Sequence, residues 1–268
     1  MKAIICKNEN KNDSRNSGII AEVQSKLHSI GIEAVLSDRD GICQDCDLVI
    51  TIGGDGTILH HGKKAARLGL PLLGINTGRL GFMTTLETNE LDKLELLKTG
   101  NRKTCSRMML DIEIGRQTYL ALNDVIFLKD INSKLPELKV STGGTVISEI
   151  RADGLILSTP TGSTAYALSA GGPIIEPRLE CIELTPMCAH SLFGRPMIFS
   201  AENPLTVQFE GKPETHTVFA SVDGEKAIEF RSGDVAIIRK SALRLDLIDL
   251  GGNSFHDAVN KKLMKPLK

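Results

Sequence analysis

The densest chemistry in the chain is Gly53-Gly54-Asp55-Gly56-Thr57, directly after the apolar run at 47–52. Glycines at 53, 54 and 56 let backbone N–H groups approach a ligand closely and adopt positive φ. A strand, a glycine turn and a helix N-terminus together form an anion site suited to phosphate. Asp55 stands at the centre of that turn. A carboxylate repels phosphate oxygens unless it binds a metal ion or takes a proton from a nucleophile, and phosphoryl transfer calls for both functions. The alternative is a turn in which Asp55 caps the following helix. The turn lacks the Lys-Ser/Thr of a Walker loop and the G-x-G-x-x-G of a dinucleotide fold.

A second glycine-rich segment runs from Gly74 to Phe82. Asn76 offers amide contacts there and Arg79 a phosphate contact. In a parallel sheet both loops leave the carboxyl ends of strands, where ligands bind. The longest feature is 151–172, from Arg151-Ala152-Asp153-Gly154 to Gly171-Gly172. It carries hydroxyls at 158, 159, 161, 163 and 164, then Tyr166, one of two tyrosines. Small hydroxyls suit a base edge or ribose, and Tyr166 suits stacking on a ring. Asn123-Asp124 interrupts an apolar run. A buried polar pair needs partners, and either a ligand or a strand-end position could supply them.

The elements that must position these residues fall into two textures. Residues 2–6, 33–36, 47–52 and 71–75 read as strands. Between and after them, helical patterns occupy 19–30, 57–68 and 90–97. Strands alternating with helices predict a parallel sheet covered by helices. Beyond residue 100 short alternating runs recur at 109–114, 119–127, 145–150, 155–158, 205–209, 218–222, 227–230, 235–239 and 243–248. One helix is expected near 165–170 and another in 254–264. The expectation is an α/β domain over 1–100 and a β-sandwich domain over 101–268, with a tail that can return to the first.

The chain has 268 residues, 32 Lys+Arg against 33 Asp+Glu, and is 41% hydrophobic. That excludes wholesale disorder and gives no basis for a nucleic-acid or acidic-membrane binder. No apolar run approaches a membrane span, and the start is too short and polar for a secretory signal, so a cytoplasmic protein with reduced thiols is expected. Cys43-x-x-Cys46 lacks a second matching pair and reads as a loop without metal.

Taken together, GGDGT at 53–57, N-T-G-x-L-G-F at 76–82, Asn123-Asp124 and DGLILSTPTGSTAYALSAGGPI at 153–174 resemble the NAD kinase family. LTPMCAHS at 184–191 and Ser221-Val222-Asp223-Gly224 add to it. GGDGT also occurs in diacylglycerol, sphingosine and 6-phosphofructo-type kinases; the 153–174 segment is the specific part. The resemblance implies transfer of a phosphoryl group from ATP or polyphosphate, with Mg²⁺, to the 2′-hydroxyl on the adenosine side of NAD. It implies a site between an α/β and a β-sandwich domain, in a homodimer or homotetramer. Asp55 then accepts the proton. Gly54, Asp55 and Gly56 contact NAD and donor phosphates, joined by Asn76. Asn123 and Asp124 hold ribose hydroxyls and adenine edges, and Arg151 and Asp153 lie in the NAD site. Thr161 and the segment from Thr164 through Ala165 and Tyr166 to Ser169 line the adenine pocket, while Ala189 and Asp223 border the nicotinamide end. Asp124 stands where the family commonly has Glu, and Ala152 where it often has Gly. Two rivals share parts of this pattern: a lipid kinase with the same glycine turn, and a dinucleotide sensor without turnover.

Overall fold

The computed structural model describes residues 1–7, 14–37, 41, 42, 44–78, 80–98, 103–190, 194–212, 216–252 and 254–264. Cys43, Arg79 and the expected boundary at Gly100 lie outside the described residues. The chain forms two compact units, Met1–Arg107 with Arg244–Lys268, and Met108–Leu243. Among the described residues no helix is long and apolar enough to cross a membrane.

The elements are, in order, β1 (Lys2–Lys7), α1 (Ser14–Ser29), β2 (Glu33–Leu36), β3 (Leu48–Gly53), α2 (Asp55–Arg67), β4 (Leu72–Asn76), β5 (Leu86–Glu87) and a 3₁₀ segment Thr88–Leu97. Next come β6 (Lys103–Ile114), β7 (Gln117–Ala121), β8 (Asp124–Lys129), β9 (Glu137–Thr142), β10 (Thr145–Arg151) and β11 (Gly154–Ser158). A 3₁₀ turn Gly162–Thr164 leads to α3 (Tyr166–Ser169), β12 (Cys181–Met187), β13 (Met197–Ser200), β14 (Leu205–Glu210), β15 (Val218–Val222) and β16 (Ile228–Phe230). The last are β17 (Val235–Asp249), α4 (Phe255–Val259) and a π-helical turn Asn260–Met264.

In the first unit the parallel order is β4-β3-β1-β2, and the end of β17 joins β4 in parallel at Leu247 and Leu72. β3 and β4 are buried throughout, as strands covered on both faces must be. Ile20, Val23 and Leu27 of α1 pack with Ile5, Ile50, Ile52 and Ile75, and so do Leu91, Leu94 and Leu97. α2 lies on the other face, where a Cβ on Gly74 would press 2.6 Å from Ile58. The helix expected over 90–97 is instead 3₁₀ with a kink at Glu90 (φ −117°), where Glu87 and Glu90 cap each other's backbone N–H.

The second unit is a sandwich of two antiparallel sheets. One runs β13-β12-β11-β8-β15-β16; the other holds β10-β9-β14-β17 with β6 and β7. Val140, Val207, Phe209 and Ile238 of one share a core with Phe127, Leu155, Leu157 and Leu184 of the other. Phe230 bridges them, with ring centroids 4.9 Å from Phe127 and 6.5 Å from Phe209. β14 and β15 alternate buried and half-buried residues, as one-sided strands do, but β11 is buried at every position. Its outer face is covered by the segment after it, where Ser163, Ala167 and Ile175 are buried. Three expectations change here. The run at 119–127 is two strands broken at Leu122-Asn123, the runs at 235–239 and 243–248 are one strand, and β9, β12 and β13 are additional.

Candidate active site

In the first unit the glycine turn is built by close approach. Gly53 has φ +157°, and a Cβ there would overlap the Thr57 hydroxyl. Gly54, not Asp55, is the N-cap of α2, with extended backbone and no side-chain cap. Asp55 is the first helical residue, and its carboxylate turns away from the helix. Oδ2 accepts from Phe82 N at 2.8 Å and Oδ1 from Met83 N at 3.0 Å. The capping alternative is therefore not what the carboxylate does. Gly81 permits this approach, since a Cβ there would overlap Asp55 Oδ1. Gly56 is exposed at the turn, with open space about its Cα. Asn76 ends β4 with its side chain committed inside the unit. Nδ2 donates to the Glu87 carboxylate at 3.0 and 3.1 Å, and Oδ1 accepts from Gly78 N at 3.1 Å. It braces the loop that feeds Phe82 and Met83 to Asp55.

In the second unit the organiser is Asp223. It and Gly224 have φ of 50° and 72°, a conformation that Asp and Gly tolerate in tight turns. Its carboxylate accepts three backbone N–H groups, from Leu122 (2.9 Å), Asn123 (2.8 Å) and Asp124 (3.1 Å). That is why the apolar run breaks there. Thr159 grips the same turn, with N donating to Asn123 O at 2.8 Å and Oγ1 to Leu122 O at 2.6 Å. Gly162 lies against Asn123, whose carbonyl a Cβ would overlap. Asn123 Oδ1 is buried without a hydrogen-bond partner among the described residues, an acceptor the fold itself leaves unsatisfied.

Asp124, Ser158 and Glu183 are register partners across β8, β11 and β12, so they share one face of the sheet. Asp124 is 4% exposed. Burial first, and the Asp223 carboxylate second, push its pKa up to about 7. Glu183 is fully buried, accepting from Ser158 Oγ at 2.9 Å and Thr185 Oγ1 at 2.7 Å. Burial raises its pKa and those two hydrogen bonds partly oppose the rise. Gly172 closes over it, leaving no room for a side chain.

The hydroxyl run is thus largely spent inside the protein. Ser158 serves Glu183, Thr159 the 122–124 turn, and Ser163 the Pro160 carbonyl at 2.7 Å. Thr164 donates to Thr161 O at 3.3 Å, and Thr161 is buried. Ala165 and Ser169 flank Tyr166, which is 43% exposed and free to meet a ring. Arg151 is exposed at the end of β10, and its carbonyl accepts from His190 N at 2.7 Å. Asp153 pairs with Lys129 at 3.7 Å, and Ala189 packs on the sandwich core. Within the second unit the structure gathers Asn123, Asp124 and Asp223 at one turn, gripped by Thr159 and Gly162, while Thr161 is buried beside them in sequence with its carbonyl accepting from Thr164. Gly81, Thr159, Gly162 and Glu183 were missed as positioning residues. Each acts through a close approach or a cross-strand pairing, which spacing in sequence does not display.

Comparison with known proteins follows the same division. The ATP-NAD kinase N-terminal domain family matches residues 6–97, and the ATP-NAD kinase C-terminal domain family matches residues 122–250. The NAD kinase of Natranaerobius thermophilus is 38% identical over 268 aligned residues, covering 91% of this chain and 93% of its own. The crystal structure of an NAD kinase from Archaeoglobus fulgidus in complex with ATP is similar at TM-score 0.75 and 28% identity, covering 94% of each chain. Yeast NADH kinase complexed with NADH shares the fold at TM-score 0.84 and 22% identity, over 100% of this chain and 89% of its own.

Proposed function

The chain belongs to the NAD kinase family, and from that premise we propose how it phosphorylates NAD to NADP with ATP as donor. Asp55 is the general base. It takes the proton of the adenosine 2′-hydroxyl as that oxygen attacks the terminal phosphorus, and the bond to the ATP bridging oxygen breaks in line. The observation that carries this reading is the pair of backbone donors on Asp55. They fix the direction of both oxygens and leave further lone-pair sites for the incoming hydroxyl. Gly54 and Gly56 add no side chains on either side of Asp55, so the N–H groups of the turn can meet phosphate.

A divalent ion held chiefly by the substrate phosphates would neutralise charge on the transferred group, and Asp55, the one carboxylate of the turn, is kept for the proton. Asn123 and Asp124 hold ribose hydroxyls and the adenine edge. A carboxyl near its midpoint at neutral pH can both donate to and accept from a diol. Thr161, Thr164, Ala165, Tyr166 and Ser169 form the adenine side, Arg151 and Asp153 add polar contacts, and Ala189 borders the nicotinamide end. Asp223 contributes by holding the 122–124 turn. Asn76 acts likewise on the Asp55 loop. A cytosolic homodimer or homotetramer is the proposed form.

The test is NADP formation from NAD, ATP and Mg²⁺, read with an NADP-specific dehydrogenase, followed by polyphosphate as donor in the same assay. Asp55→Asn is expected to lower kcat about 10²–10⁴-fold while NAD still binds. Full turnover by that variant removes Asp55 as base. Failure of both donors with NAD binding intact returns the chain to the sensor reading.

A further inference from the structure

We propose that Phe255 and Lys262, in the last helical segment, are positioning residues for phosphoryl transfer: they clamp the Phe82 ring and thereby aim the backbone donors that orient Asp55. The inference rests on the reading of Asp55 as base. Phe82 N is itself one of the two donors, at 2.8 Å from Asp55 Oδ2, and Met83 N beside it is the other. Any swing of the Phe82 backbone therefore moves both carboxylate oxygens.

The Phe82 ring meets two side chains of the last helical segment. The Phe255 ring lies 6.2 Å away, tilted by 49°, within the range of favourable aromatic pairs. Lys262 Nζ sits 4.2 Å from the Phe82 centroid, a cation–π distance. The segment that carries these side chains is itself fastened to the first unit. Thr85 Oγ1 donates to Ile248 O at 2.8 Å, and Lys93 Nζ donates to Gly251 O at 2.8 Å and to Glu90 Oε1 at 2.6 Å. Gly252 lies so close to Thr85 that a Cβ would overlap its carbonyl. Ser254 and Asp257 then cap α4 reciprocally, and Ala258 is buried. A helix this short does not persist alone, so its order depends on what it packs against, and Phe82 is what its aromatic residue meets. Residues 248–252 and 254–262 thus form a strap from β17 to the Phe82 ring.

The test uses the full chain and steady-state kinetics with saturating ATP and varied NAD. Phe255→Ala is expected to lower kcat about 10–100-fold with KM for NAD within about twofold of the parent, the signature of misplacement of the reacting groups. Phe255→Tyr, which keeps the ring, should restore most of kcat. Lys262→Gln should cost about threefold, in line with the modest strength of an exposed cation–π contact. Placed in the Asp55→Asn background, Phe255→Ala should remove nothing further from the residual turnover, because its effect acts through Asp55. Parental kcat in Phe255→Ala overturns the proposal. So does an equal loss in both backgrounds, which marks a general structural role. Should Phe255→Ala fail to fold by circular dichroism, Phe255→Leu and Lys262→Gln decide by the same kinetics, and parental kcat in both overturns it. Full activity of Asp55→Asn alone would instead sink the base assignment beneath it.

Discussion

Asp55, just past β3, receives one backbone N–H on each carboxylate oxygen, from Phe82 and Met83. Asp124, at the start of β8, is 4% exposed beside another carboxylate and titrates near 7. In the second unit the backbone donors go to Asp223, which takes three. One unit therefore spends its donors on the acid assigned to chemistry. The other spends them on an acid that shapes a turn, and leaves its partner in a medium that favours the neutral form. Donors fix where an oxygen points, which a base requires. Burial beside a like charge holds a proton at neutral pH, which suits an acid that must give and accept hydrogen bonds. The same side chain is oriented by backbone donors in one place and has its charge opposed by desolvation in the other.

The sharpest way to break that contrast is to disturb the first site through its glycine. Gly81→Ala places a methyl against Asp55 Oδ1 and within 2.5 Å of Thr84 Oγ1. Asp55 must move off its donors, and kcat should fall at least about hundredfold, as for loss or misplacement of a base. The measurement is kcat beside NAD affinity by calorimetry. Affinity should change far less than kcat, and parental kcat would show that the donors do not matter to turnover.

Asp223→Ala makes the corresponding test in the second unit. It strips three charge-assisted hydrogen bonds from the 122–124 turn and removes a residue adapted to positive φ. Such bonds contribute about 1.5–3 kcal/mol each when taken singly but not additively, so a loss of about 3 kcal/mol in urea unfolding is expected. NAD affinity should weaken with it. A loss below about 1 kcal/mol would mean that solvent replaces the carboxylate and that the turn is held from the Thr159 side.

The contrast also explains what the sequence made legible. Strands with β-branched residues and clear turns appeared where expected, as at Glu33–Leu36 and Val218–Val222. Asp55, the glycine turns and Asn123-Asp124 were visible because their residue types are unusual in their setting. The segment 153–172 was visible too, but not what its hydroxyls do. Ser158, Thr159 and Ser163 looked like ligand groups, and they satisfy Glu183 and the carbonyls of Leu122 and Pro160. Periodicity says which face a residue shares. It does not say that Asp124, Ser158 and Glu183 come level, because that depends on register between strands distant in sequence. β12 was hidden for a related reason. Ile182 and Leu184 alternate with Glu183 and Thr185, but that run is only four residues long and Pro186 reads as a break. The link from Phe255 to Asp55 crosses most of the chain and has no local signal at all.

The smallest expected effect is also the one with a distinctive sign. Asp124 has its folded pKa near 7 against an ordinary value of 3.8, so the native state binds its proton more tightly than the unfolded chain does. The corresponding stability is fully present below about pH 4 and is lost as pH rises through about 7. Above that the folded protein holds a buried charge next to Asp223. Asp124→Asn keeps a neutral side chain of similar size at every pH. It should therefore be more stable than the parent at pH 8, by on the order of 2 kcal/mol, with the gain shrinking towards pH 5. Urea unfolding at pH 5, 6, 7 and 8 measures this. NAD affinity of the parent should change across pH 6–8, and the variant's should be flat over that range. A gain that does not depend on pH would mean that Asp124 stays ionised in the folded protein. Hydrogen bonds from solvent or substrate would then compensate the Asp124 carboxylate, and burial would not decide its charge.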